Sequence, residues 1–149
     1  MNKNLEEQKS KAQRIVAHMF ERDRLAKHFN IRIVDVGDGF AKIAMKIRSE
    51  MLNGHGICHG GVTFALADTA FAYACNSRNQ KTVALNCAIS YSQAVFEGDE
   101  LTALAEEKIL NRRTGTYDVT IKNQNDQVVA LFRGSSYAMK QNVITASEL

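Results

Sequence analysis

The chain has 149 residues, enough for one domain (1–149) with a sizeable core, and its 45% hydrophobic and 23% charged content is that of an ordinary soluble globular protein. Its net charge of +3 is spread among acids, with no basic run longer than Arg112-Arg113, so no nucleic-acid footprint is suggested. No apolar run reaches the roughly 20 residues of a membrane span, and the charged N-terminus lacks the apolar segment of a secretory signal.

Residues 3–27 predict an amphipathic helix, with Leu5, Ala12, Ile15, Val16, Met19 and Phe20 recurring at spacings near three and four. Two alternating runs follow. Ile31, Ile33 and Asp35 oppose Arg32, Val34 and Val36; Ala41, Ile43, Met45 and Ile47 oppose Lys42, Ala44 and Lys46. Gly37-Asp38-Gly39 between them is a turn, so the pair predicts a hairpin. A loop over 48–58 leads to a helix from Gly60 to Asn76 that is apolar nearly all round and therefore buried on most sides. Four strands are predicted after it, at 82–92, 100–112, 115–123 and 128–139. On the first, Val83, Leu85, Cys87, Ile89 and Tyr91 share one face and Thr82, Asn86, Ser90 and Ser92 the other. No helices alternate with these strands, so the class is α+β with a largely antiparallel sheet, wrapped around the second helix.

Cys58, Cys75 and Cys87 are odd in number and have no paired spacing, which predicts reduced thiols in a cytoplasmic protein. His55, Cys58 and His59 have no second ligand cluster to complete a metal site, so none is expected, and no cofactor is implied.

One carboxylate, Asp68, interrupts the apolar helix. Aspartate is a poor mid-helix residue, and burying its charge is costly unless something pairs with it. No Lys or Arg lies within a turn of it; Phe64, Leu66, Phe71 and Ala72 do. A buried aspartate satisfied by a nearby hydroxyl is the plain alternative; a general base of raised pKa is the functional one. At the start of the same helix, Gly60 and Gly61 leave backbone N–H groups without intrahelical acceptors, at the positive end of the dipole and with no Cβ to obstruct a ligand. That suits an oxyanion hole; a glycine turn needed only for chain reversal is the plain alternative. Gly60 and Asp68 are eight residues apart, about 12 Å along the axis, so one chain cannot bring both to one carbonyl carbon. If they share a site, two helices lie antiparallel and each donates its N-terminus to the other's aspartate. A twofold dimer with two interfacial sites follows.

The matching residues are Asn53-Gly54-His55-Gly56, His59-Gly60-Gly61, Ala65-Leu66-Ala67-Asp68 and Ala72-Tyr73-Ala74-Cys75-Asn76, with a weaker match over Arg112–Ile121. They resemble the signature of hotdog-fold acyl-CoA thioesterases, most closely the PaaI family of phenylacetate degradation. The resemblance implies a hotdog fold, a hydrolase acting on acyl-CoA, and dimers often paired into homotetramers. It implies Asp68 as catalytic base or nucleophile, Gly60 as oxyanion donor with Gly61 beside it, Asn53 as a polar partner near the reacting group, and His59 as a shaper of the loop.

The chemistry fits. A thiol leaves as thiolate without much protonation, so one carboxylate and one oxyanion donor serve thioesters better than amides or glycosides. No G-x-S-x-G elbow is present. Lys108, Arg112 and Arg113 form a basic cluster that suits the phosphates of coenzyme A, with a solvated strand end as the alternative. Phe64, Tyr73 and Tyr91 are candidates for the acyl pocket, or core residues. Two rival functions remain at this point: an acyl-CoA dehydratase or hydratase pairing His55 or His59 with a carboxylate, and a non-catalytic acyl-CoA-binding module.

Overall fold

A computed structural model describes residues 9–149. The chain starts with α1 (Lys11–Arg22), whose entry is fixed by a capping box in which Ser10 and Gln13 each satisfy the other's backbone N–H. Ala12, Ile15 and Val16 bury the inner face. The expected single helix over 3–27 is corrected: its first residues, Leu5 included, lie outside the described residues, and a break falls at Asp23. That residue is extended (φ −85°, ψ 90°) and its side chain caps the short α2 (Arg24–His28). A short carboxylate takes a free N–H more readily than it continues a helix.

The hairpin follows as β1 (Arg32–Gly37) and β2 (Phe40–Lys46). Ala41, Ile43, Met45 and the following Ile47 are all buried, as the alternation predicts. On β1 the alternation breaks. A register shift between Ile33 and Asp35 turns Val36 inward with Ile31, while Val34 stays 55% exposed. One irregular residue moves everything beyond it to the other face.

A loop with one 3-10 turn (Ser49–Met51) leads to α3 (Gly60–Asn76), at the boundaries read from the sequence. Four strands follow: β3 (Gln80–Tyr91), β4 (Glu100–Leu110), β5 (Thr114–Lys122) and β6 (Val128–Asn142). The six strands form one antiparallel sheet in the order β1-β2-β4-β5-β6-β3. The chain crosses from β2 to the far edge through α3, which leaves α3 lying in the curve of the sheet.

Leu66, Ala67, Ala70, Phe71 and Ala74 of α3 meet Ile43, Met45, Leu101, Ala103, Ala105, Val119, Ile121 and Phe132 from four strands, all nearly inaccessible. Small residues let helix and sheet approach. A Cβ on Gly134 of β6 would stand 2.8 Å from the Phe71 ring, so the phenyl occupies the space that the glycine leaves.

β3 is the edge strand opposite β1, and its faces also differ from the alternation. A shift between Ala84 and Asn86 makes Leu85 a bulge; Cys87, Ile89 and Tyr91 then align with the inward Gly134, Phe132 and Ala130, whereas Val83 aligns with the outward Tyr137. The Asn76 side chain at the end of α3 pairs with the Thr82 backbone: Oδ1 accepts from Thr82 N–H at 2.9 Å and Nδ2 donates to Thr82 C=O at 3.0 Å. The three cysteines are free thiols. No helix among the described residues is long and apolar enough to cross a membrane.

Candidate active site

The loop before α3 is built around Asn53. Its backbone N–H donates to Ile57 C=O at 2.8 Å, and its Oδ1 accepts from the N–H of His55 at 2.9 Å and of Ile57 at 3.4 Å. Gly56 closes the turn at φ +76°, a left-handed conformation that side chains disfavour. The turn consumes the carbonyl of the Asn53 side chain. Its Nδ2 donates to nothing among the described residues, and Asn53 lines a pocket of about 330 Å³.

Two backbone bonds carry the chain from this turn into α3. Cys58 N–H donates to Val95 C=O at 2.7 Å and His59 N–H to Met51 C=O at 2.8 Å. His59 then caps the helix: its Nδ1 accepts from Gly61 N–H at 2.9 Å. Gly61 is therefore a satisfied donor. The N–H of Gly60 meets no acceptor among the described residues, and Gly60 lines the same pocket as Asn53. Tyr91 completes that wall; its hydroxyl donates to Gly60 C=O at 2.7 Å. Thr63, Ser92, Gln93 and Val129 also line the pocket, and nothing in their sequence pattern marks them beforehand.

Asp68 lies elsewhere. It is two turns along α3 and does not line the Gly60 pocket, as the helical spacing requires. It is half-buried and has no hydrogen-bond or ion-pair partner among the described residues. Burial raises its pKa above the usual carboxylate value, and the Asp23 carboxylate raises it further. Asp23 is held by Ala26 N–H at 3.0 Å and Tyr73 O–H at 3.0 Å. Tyr73, a pocket candidate from the sequence, is instead buried in the core with its hydroxyl on Asp23. Asp23 was not singled out from the sequence, where it is one acid among many in a charged helix. The Asp68 charge in turn contributes to raising the Cys75 thiol, pushed up to about 12 mainly by burial, and the Cys87 thiol.

Beyond the first turn, where Gly60, Gly61 and Val62 are all at least partly open, the α3 positions left open by the chain's own sheet are Phe64, Ala65, Asp68, Ala72 and Cys75, which with Gly61 form a stripe at three- and four-residue steps. Phe64 leans from this stripe onto Phe132, edge to face at 5.4 Å. Arg112 and Arg113 line a separate pocket of about 160 Å³ with Cys75 and Arg78, near the other end of α3. Arg78 there is neutralised by Glu107 through bonds of 2.6 and 3.1 Å, whereas Arg112 and Arg113 have no acidic partner among the described residues. The structure thus gathers Asn53, Gly60 and Tyr91 around one pocket with His59 behind it. Asp68 with Phe64, and Arg112 with Arg113, stand at two other places.

A helix with an open glycine N-terminus, cradled by a single antiparallel sheet, defines a hotdog-fold protein of the thioester-processing kind. The comparisons agree. The profile of the thioesterase superfamily matches residues 55–130. The acyl-coenzyme A thioesterase PaaI of Escherichia coli is 49% identical over 119 residues, 80% of this chain and 85% of that protein. Among solved structures, the E. coli PaaI protein from the phenylacetic acid degradation operon superposes with a TM-score of 0.87 at 45% identity, covering 89% of this chain and 96% of that one. A hypothetical thioesterase of Streptococcus pneumoniae, solved with coenzyme A, has a TM-score of 0.78 at 28% identity over 83% of this chain and 97% of its own. The chain belongs to the thioesterase superfamily and is a thioester hydrolase of the PaaI type.

Proposed function

We propose that this thioesterase hydrolyses acyl-CoA thioesters, with aromatic acyl groups of the phenylacetyl type preferred, in sites shared between two copies of the chain. One observation carries the reading. The free Gly60 N–H opens onto a pocket that holds no base, while a base without a partner, Asp68, waits on the uncovered stripe of the same helix. Two α3 helices packed antiparallel along that stripe unite the two halves twice. The exposed edge of β3, with Val83 and Leu85 uncovered, supports a pairing of this kind. Leu131, Tyr137 and Met139, exposed on the outer face of the sheet, support further pairing into a homotetramer.

In each site Gly60 N–H and Asn53 Nδ2 hold the thioester carbonyl oxygen and stabilise the charge that develops on it. Asp68 of the partner subunit takes a proton from water as the water attacks, or attacks the carbonyl carbon itself to give a mixed anhydride that water then hydrolyses, regenerating the carboxylate. The thiolate of coenzyme A departs and the free acid remains. Cationic Arg112 and Arg113 suit the phosphates of coenzyme A; in an antiparallel pair they come from the chain that gives Asp68. Phe64, on the stripe beside Asp68, flanks the acyl group, and Tyr91 lines the pocket beside Gly60. Three free thiols suit a reducing compartment such as the cytoplasm. A hydratase would need an imidazole joined to a carboxylate. His59 Nδ1 is instead committed to capping Gly61 N–H.

The test is release of free thiol from phenylacetyl-CoA, followed by a panel of acyl-CoA substrates ranked by kcat/KM. Thiol release with aromatic acyl groups at the head of the ranking is the expected result. No release above the uncatalysed rate overturns the activity, and a panel headed by aliphatic groups overturns the substrate assignment.

A further inference from the structure

Two adjacent glycines open the first turn of α3 to a ligand, but glycine also leaves a helix end free to fray. An oxyanion donor is effective only if it is already in place when charge develops. The chain must therefore hold Gly60 by means other than a side chain of its own. His59 does part of this from one side, by capping Gly61 N–H. The other tie comes from the last residue of β3. The Tyr91 hydroxyl donates to Gly60 C=O at 2.7 Å, a second bond to a carbonyl with two lone pairs.

The ring adds to this. A Cβ built on Gly60 would stand 3.0 Å from the Tyr91 hydroxyl oxygen and 3.1 Å from Cζ. Tyr91 therefore covers the flank of Gly60 where a side chain would project. Its own position is fixed just beyond the strand, where Ser92 N–H donates to Val129 C=O at 2.9 Å. Tyr91 is 52% exposed, so it is not a core residue that holds the fold by burial. Its pKa is raised, first by burial, so its hydroxyl remains a proton donor at working pH.

We infer that Tyr91 is a positioning residue: its hydroxyl and ring fix the Gly60 N–H for the thioester carbonyl, and it acts through Gly60 rather than by gripping the acyl group. The inference rests on the proposed role of Gly60 and replaces the simpler view of Tyr91 as a substrate contact.

The experiment is Tyr91→Phe, which keeps the ring and removes the bond, assayed with phenylacetyl-CoA, a short aliphatic acyl-CoA and a long one. The expected result is a loss of about tenfold in kcat, a fraction of the 10²–10³ that removal of an oxyanion donor costs, at nearly constant KM. The loss is the same for all three substrates, because the carbonyl is common to them. A rise in KM that differs among acyl groups overturns the inference in favour of a substrate contact. An unchanged kcat with only a lower Tm overturns it in favour of a structural role. A second arm reads the ring. Gly60→Ala costs more in the wild-type background than in Tyr91→Ala, where its Cβ has room. Strict additivity of the two substitutions refutes the contact. If the wild-type protein releases no thiol, the function itself fails; if it does and Tyr91→Phe matches it, only this inference fails.

Discussion

Two inactive variants of this protein are expected to restore each other. Asp68→Asn removes the base and keeps the shape of the side chain. Gly60→Pro removes the backbone N–H at the first position of α3. Proline is well suited there: its missing N–H is one that no helix bond uses, and its fixed φ is helical. The preceding residue must be extended, and His59 already is, at φ −61° and ψ 131°. The new Cβ would meet the Tyr91 hydroxyl at 3.0 Å, which a small ring movement relieves. Each homodimer then has two defective sites. In a mixed dimer, one site receives both lesions and the other receives an intact Gly60 and an intact Asp68. Random exchange at equal amounts makes about half of the dimers mixed, each with one working site of two, so about a quarter of wild-type activity returns. The 12 Å or so between Gly60 and Asp68 along one helix is what makes the result diagnostic. The assay is thiol release after exchange, with folding checked by circular dichroism and exchange by co-purification of two different tags. Proven exchange with activity no higher than that of the separate variants refutes the shared site.

Asp68→Asn alone is expected to lower kcat by about 10²–10⁴ while the protein stays folded; near-normal turnover would remove the role given to Asp68. The same variant is expected to be more stable than wild type at neutral pH. The folded pKa of Asp68 is raised, so its contribution to stability is fully present below the unfolded value and is lost as pH rises through the folded one. The gain from asparagine therefore appears above that window and vanishes in acid, which urea titrations at pH 3 and pH 7 measure; an equal effect at both refutes it. Arg112→Ala with Arg113→Ala is expected to raise KM for acyl-CoA with little change in kcat, since a distant phosphate grip acts alike on ground and transition states. An equal rise for a thioester without the nucleotide refutes the phosphate assignment. Gly134→Ala is expected to cost about 1–3 kcal/mol, because its Cβ would enter the Phe71 ring from 2.8 Å; chemical denaturation reads this directly.

Much of the molecule is legible in its local patterns. The bounds of α3, the hairpin, the four late strands and their turns all follow from periodicity and from glycine and asparagine punctuation, because each depends on residues within one or two turns. The separation of Gly60 from Asp68 is equally local, and it alone raised the question of a second chain.

Contacts across long stretches of chain were settled only by the tertiary structure. The bulges at Ile33/Asp35 and Ala84/Asn86 reversed the faces of β1 and β3, because a strand's alternation says which residues share a face only while its register is unbroken. Asp23 reads as an ordinary surface acid until the fold brings Tyr73, fifty residues later, onto it. Tyr91 reads as an apolar strand position until β3 pairs with β6 and lays its hydroxyl on Gly60. The sequence determined which groups the chain has to offer and how far apart a helix keeps them. Which of them meet was decided by the packing of α3 against the sheet, since burial and register are properties of the whole chain.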